Sequence, residues 1–225
     1  MKLIRYGITL HRLKEDDLEL VRQWRNDPVV RDNFAFRDYI TPVMQHAWFK
    51  SINNIHNFYT VIEYQAVKIG VINLKNIDWD EMSAEGGIFI PDVKYHQTSV
   101  PATISFMTTE ILLNAFHFKT GYAHVLKEND AVRSFIYSLG YKMCPGQENE
   151  ANQKFFITPD LFRLRTSGRF REAIGLVAGT DEPGFFIFEP NEAHDPVALE
   201  WEEKIQHHLK PMSDKVNIPG RVYLF

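Results

Sequence analysis

The chain has 225 residues, 44% of them hydrophobic and 24% charged, which suffices for one substantial core with an appended subdomain and excludes a disordered chain. A formal net charge of -4 provides no overall basic field for a phosphate backbone, so nucleic acid is not an expected partner. Cys144 is the one cysteine, which excludes an intrachain disulfide and a multi-cysteine metal site, and a reducing, cytoplasmic location is expected.

The opening MKLIRYGITLHRLKEDD meets charge within a few residues and predicts no secretory signal, and no run of about 18 apolar residues predicts a membrane span. Residues 8–13 alternate as a first strand. Asp16 and Asp17 then open an amphipathic helix with Leu18, Val21 and Trp24 at helical spacing, ended by Asn26-Asp27-Pro28. A second, irregular helical stretch covers residues 29–52, broken at Thr41-Pro42 and carrying Trp48 and Phe49. Residues 58–64 and 67–74 predict a hairpin joined at Gln65-Ala66 without a glycine. Residues 84–90 are a further strand, and the Gly86-Gly87 pair marks a bulge or a splay.

The period then changes. Ile104, Met107, Ile111, Ala115 and Phe118 recur every three or four residues, which predicts a helix that stops at Gly121. Residues 122–126 read as a buried strand, 130–139 as a helix closed by Gly140, and 155–157 as a strand returning to the sheet. A meander followed by β-α-β-α-β implies an α/β fold with a mixed, mostly antiparallel central sheet and helices on both faces. Beyond residue 160 four arginines (Arg163, Arg165, Arg169, Arg171) precede a strand at 184–188. Asp195-Pro196 starts a helix with the stripe Val197, Trp201, Ile205 and Leu209, and residues 216–225 end the chain as a strand-like piece. The expected division is residues 1–160 and a structured extension, 161–225, packed on the core or on a second subunit of a homodimer.

A strand, a loop and a helix N-terminus make an anion-binding device, because free amides and the helix dipole both point at the loop. The segment 88–103 has this layout. Together with the early WRN (Trp24 to Asn26), the hairpin FYTVIEYQAVKIGVINL and the strand AEGGIFI, it resembles the GNAT acyltransferase superfamily over roughly residues 8–158. The pattern is nearest to its ribosomal-protein and amino-sugar N-acetyltransferase branches.

The resemblance implies acyl-coenzyme A, acetyl-CoA first, as co-substrate, with no metal. The family's loop, Gln/Arg-x-x-Gly-x-Gly/Ala, aligns with Gln97, Val100 and Ala102, so the pyrophosphate is expected at Gln97, Thr98, Ser99, Val100, Ala102 and Thr103. Val100 stands where the family has glycine, and its branched Cβ hinders close approach and positive φ. The pantetheine arm is expected beside Phe89, Ile90 and Asn129, and the segment NDAVRSFIYSLGY fits the family's Asn-helix-Gly-Tyr spacing. The family's tyrosine acid is replaced by Ile136, with Tyr137 one step around the helix.

By the same resemblance Glu85 is the candidate base, directly or through water, for a primary amine such as a small-molecule amine, an amino sugar or a peptide N-terminus. The acceptor would enter past Trp24 and Trp48, and the amine would attack in a ternary complex without a covalent enzyme intermediate. The competing reading is an inactive GNAT-like binding module in which Val100-Pro101 marks a degraded loop. The arginine cluster reads as a solvated basic face or as a site for an acidic group, and His194, His207 and His208 lack metal-ligand spacing.

Overall fold

The computed structural model describes residues 1–166, 169–178, 183–212 and 218–225. Its centre is one sheet. Strands β1 (Lys2–Arg5), β2 (Ile8–Arg12), β3 (Phe58–Tyr64), β4 (Val67–Asp78), β5 (Ser83–Phe89), β6 (Thr120–Leu126), β7 (Lys142–Met143), β8 (Asn152–Ile157), β9 (Phe185–Phe188), β10 (Lys210–Pro211) and β11 (Arg221–Leu224) lie in the spatial order β10-β11-β9-β1-β2-β3-β4-β5-β6-β8-β7. Every pairing is antiparallel except β5 with β6.

Helices α1 (Leu18–Asn26), α2 (Pro28–Arg31), α3 (Pro42–Ile52), α4 (Val100–Glu110), α5 (Asp130–Leu139), α6 (Pro159–Thr166), α7 (Arg169–Ala178) and α8 (Pro196–Gln206) complete the chain. Leu18, Val21 and Phe49 from α1 and α3 pack with Val61 and Val71 on one face of the sheet. Ile104 and Met107 of α4 and Trp201 and Ile205 of α8 pack with Ile62 and Ile72, their neighbours along β3 and β4, on the other. The alternation of side chains along β3 and β4 thus assigns one face to each helix pair.

The Gln65-Ala66 hairpin forms at the expected place, with both residues left-handed (φ 51° and 61°), which lets the two-residue turn follow the strand twist. Strand β1 is absent from the sequence reading: four residues are too few to show a period, and the Tyr6-Gly7 turn (φ 54° and 71°) folds it back onto β2. The long helix is corrected as well. α4 ends at Glu110, a π-turn carries Ile111–Ala115, and His117 (φ 58°), not Gly121, takes the left-handed position before β6. Gly121 is inside β6, where a Cβ would lie 3.0 Å from Ile157 Cγ2. Helices α6 and α7 and strand β7 also escaped the sequence reading. The side chains of Arg169 and Arg171, and residues 216 and 217 of the last strand-like piece, lie outside what is described.

Strands β9, β11 and β10 extend the sheet beyond β1, with Leu3 opposite Phe186 and Val222 opposite Ile187. Asp195 caps α8 by accepting from the N–H groups of Val197 and Ala198, and its other oxygen pairs with Arg12 at 2.6 Å. At the opposite end Gly140 closes α5 with φ 104°, and a Cβ there would stand 2.8 Å from the Leu161 carbonyl oxygen of α6. Gly140→Ala is therefore expected to cost at least the ~1–2 kcal/mol of a left-handed alanine, read as a lowered urea midpoint.

Candidate active site

Strand β5 pairs with β4 from Ser83 to Phe89, but with β6 only through Gly86 opposite Ala123. Past that point the two parallel strands part, and residues 87–89 and 124–126 border a slot. The Gly86-Gly87 pair is the splay; the bulge is in β4, between Lys75 and Asp78. A Cβ on Gly87 would stand 3.1 Å from Oδ1 of Asn73, its partner on β4, a crowding that glycine avoids.

Glu85 sits one residue before the end of that pairing, on the sheet face covered by α1 and α3. Its Oε1 lies 2.8 Å from Lys75 Nζ and 3.0 Å from His124 Nδ1, and its Oε2 accepts from Asn76 Nδ2 at 3.2 Å. Consecutive residues of a regular strand point to opposite faces, so Lys75 and Asn76 would not both reach one carboxylate. The bulge and the left-handed Asn76 (φ 51°) allow it. Burial raises the Glu85 carboxyl, but the hydrogen bonds and charges of Lys75 and His124 outweigh it and hold the group below its ordinary range. His124 thus has one ring nitrogen on Glu85, and its Nε2 makes no hydrogen bond among the described residues.

The WRN segment closes the same face. Trp24 and Trp48 are half-buried with Phe49, Tyr59 and Phe89, and Trp48 meets the Tyr59 ring edge-on at 5.1 Å. Asn26 holds Ile40 through both its backbone N–H (2.8 Å) and its carbonyl (2.9 Å), which ties down residues 32–40. Arg25 was not singled out in the sequence. Its guanidinium carbon is 3.5 Å from the Phe34 ring centroid, and burial draws the group down to about 10. Burial, then the Glu85 charge, pushes the Tyr59 phenol up to about 12 against the pull of Arg25.

Asn129 does not turn its side chain to the slot. Its Oδ1 accepts from Val132 N–H at 3.1 Å, capping α5, and its Nδ2 donates to Asn33 Oδ1 at 2.9 Å. With the Arg37 to Glu128 pair at 3.2 Å, that bond fastens residues 32–40 across to the turn after β6. Ile136 is buried, and Tyr137 packs edge-on against Phe155 at 5.5 Å.

The loop from Phe89 and Ile90 to α4 has its own internal bonds. Ring nitrogen Nε2 of His96 lies 2.7 Å from the Ile90 carbonyl oxygen, and Thr98 Oγ1 donates to the Tyr95 carbonyl. Gln97, Thr98 and Ser99 are exposed. Val100 is the first residue of α4, helical and buried, so no left-handed residue is needed there. Its N–H is directed at Thr98 Oγ1 (3.3 Å) and Pro101 has none, while Thr103 is buried and its N–H bonds back to the Ser99 carbonyl. The helix dipole and the N–H of Ala102 stay available to a phosphate, with fewer amides than a glycine-rich loop would present. Beyond Gly86 the facing edges of β5 and β6 are thus unpaired with each other, and the start of α4 beside them offers fewer free amides than a glycine-rich loop.

The sequence profile of the Acetyltransferase (GNAT) domain family matches residues 8–142. The chain belongs to this family. No curated protein sequence matches it. Among solved structures, spermidine N-acetyltransferase from Vibrio cholerae in complex with CoA and spermine superposes with a TM-score of 0.63 at 17% identity, covering 70% of this chain and 99% of that one. A domain from Methanocaldococcus jannaschii DSM 2661 superposes at 0.58 and 19% identity, over 67% of this chain and 97% of that domain. The dodecameric Vibrio cholerae enzyme in its intermediate state gives 0.58 at 17% identity, over 73% and 100%. The chain has the mixed, mostly antiparallel sheet read from the sequence; each neighbour is covered almost whole, while about three tenths of this chain lies outside the match. Among the described residues no helix is long and apolar enough to cross a membrane, and no three His, Cys, Asp or Glu side chains gather as a cation site.

Proposed function

We propose that this chain transfers an acetyl or other short acyl group from acyl-coenzyme A to a primary amine. The observation that carries the reading is the parting of β5 and β6 just beyond Glu85, with the Glu85–His124 pair beside the slot. The structural neighbour bound to CoA and spermine supports it at the level of reaction class. The thioester supplies an activated acyl carbon. The neutral amine nitrogen bonds to that carbon as the C–S bond breaks, the amine gives up one proton, and the leaving sulfur gains one.

The protein's own residues hold and move that proton. Glu85, kept ionised, fixes the His124 ring through Nδ1 and leaves Nε2 to receive the amine proton; a water on Glu85 is the alternative route. A backbone N–H in the splayed strand around Gly87 to Phe89 polarises the carbonyl oxygen, and Gly87 provides the close approach. Gln97 to Thr103 receive the pyrophosphate, and Trp24 and Trp48 wall the acceptor side. The same reaction class is expected in a cytoplasmic setting, for a monomer with a covered sheet edge or for a homodimer.

Calorimetry with acetyl-CoA tests the reading before any acceptor is known. Saturable binding with a raised melting temperature at millimolar ligand is the expected result, and neither would appear if the chain is an inactive binding module. Because Val100 is buried in the first turn of α4, Val100→Gly is expected to lower the melting temperature and to leave CoA affinity no tighter, whereas a crowded loop would give tighter binding.

A further inference from the structure

Among the described residues Arg25 is a cation without an anion. Its Nη1 is buried and has no hydrogen-bond partner among the described residues, and no carboxylate forms an ion pair with it there. The one ionisable neighbour that influences it is the Tyr59 phenol. The other arginine of α1 is fully partnered: Arg22 binds both oxygens of Glu19, the Tyr39 hydroxyl and the Ile40 carbonyl. A guanidinium removed from water needs an opposite charge or several acceptors, and the face of Phe34 at 3.5 Å compensates only part of that loss.

The groups around Arg25 are donors too. The Tyr59 hydroxyl is a neutral donor at physiological pH, and Asn73 Nδ2, opposite Gly87, is buried with no partner among the described residues. Tyr59 and Asn73 are opposite one another across the β3–β4 ladder, on the face that carries Glu85. Glu85, the acceptor-bearing group of this face, is already claimed by Lys75, His124 and Asn76. Among the described residues this face therefore presents a guanidinium with an unpaired Nη1, a phenol and an amide, with no free carboxylate to meet a second positive charge.

We infer that the acceptor amine also carries a negative group, a phosphate or a carboxylate, which docks on Arg25 beside Tyr59 and Asn73. This rests on the acyl-transfer reading above and narrows it. A polycation such as the spermidine acetylated by the Vibrio cholerae neighbour would bring positive charge to Arg25 with nothing to offset it. An anionic amine uses both ends: its anion completes the guanidinium's hydrogen bonds, and its nitrogen lies toward the Glu85–His124 pair.

The test measures acetyl transfer from acetyl-CoA, on the full chain, to glucosamine, glucosamine 6-phosphate, glutamate and spermidine. One anionic amine is expected to exceed neutral glucosamine in kcat/KM by roughly 10- to 100-fold, with spermidine the poorest; the phosphate and carboxylate arms tell the two anions apart. In Arg25→Gln that ratio is expected to collapse toward one, chiefly through KM. A spermidine or glucosamine rate equal to the better anionic amine would overturn the inference, as would an unchanged ratio in the variant. Should Arg25→Gln fail to fold, Arg25→Lys is read instead: it keeps the charge but loses the planar fork, so the ratio drops severalfold, and an unchanged ratio counts against the inference. Transfer to none of the four amines would count against acyl transfer itself. The anion site is then decided by calorimetry: saturable binding of glucosamine 6-phosphate or glutamate that Arg25→Gln abolishes upholds it, and no binding of either rejects it.

Discussion

Glu85→Gln is expected to lower turnover by roughly 10²- to 10⁴-fold while acetyl-CoA binds with near-normal affinity. The amide keeps the shape of the side chain, and it still accepts a hydrogen bond. What it loses is the charge that faces Lys75 at 2.8 Å and His124 at 3.0 Å. If Glu85 acts through the imidazole, His124→Gln produces a fall of similar size, and the double variant is scarcely worse than either single one, because both changes disable one unit. Additive losses would separate the two residues and return the base role to Glu85 with water. Full activity in Glu85→Gln would remove the pair from the mechanism altogether. The acid side of the pH profile provides a further check. Glu85 is held below its ordinary range, so it stays ionised as the pH falls through about 4.5 and its loss does not limit turnover above that pH. The stability it contributes has the same sign: present above the unfolded carboxyl value and lost only as pH falls through the lower folded one. Glu85→Gln should accordingly flatten the acid limb of a melting-temperature profile.

The parts of this site that depend on period and spacing were legible in the sequence. Residues 130–139 showed their helix because Asn129 and Gly140 bracket it, and both act as caps. Gly86-Gly87 was legible as a bulge or a splay, and the mixed, mostly antiparallel sheet followed from the meander and the β-α-β-α-β segment after it. Three things were not legible, each for a physical reason. The Lys75–Asn76–Glu85 contact needs a bulge and a left-handed asparagine, and neither leaves a mark in apolar periodicity. The pairing of His124 with Glu85 joins residues 39 positions apart, through a parallel ladder that nothing local encodes. Arg25 differs from its neighbours by what it lacks, and a missing counter-charge appears only once residues 32–40 are folded over it. Val100 was legible as a departure from the family's glycine, and because it begins α4 with helical backbone it carries no left-handed strain.

Removal of residues 161–225 is expected to yield an insoluble or strongly destabilised protein. Strand β1 would then present its outer edge, now paired with β9, to any other chain. The face under α8 would also lose its cover. Trp201 is 4% exposed, its ring lies 4.9 Å from Phe58 and 5.6 Å from Trp79, and its Nε1 donates to the Asn54 carbonyl. Arg12 would lose Asp195 and keep only Asn53. Trp201→Ala measures the same packing with a single change, and about 3–5 kcal/mol is the expected loss of unfolding free energy in urea. An apolar cavity of about 40 Å³ already lies against this ring, lined also by Phe58, Trp79 and Phe118. Deleting the indole enlarges an existing void that aromatic neighbours pinned on strands cannot refill, which places the loss toward the upper end of that range. A truncated chain that stays soluble, melts near the full-length temperature and binds acetyl-CoA would show that residues 1–160 fold without the extension, and a Trp201→Ala loss below about 1 kcal/mol would show that α8 is only loosely seated.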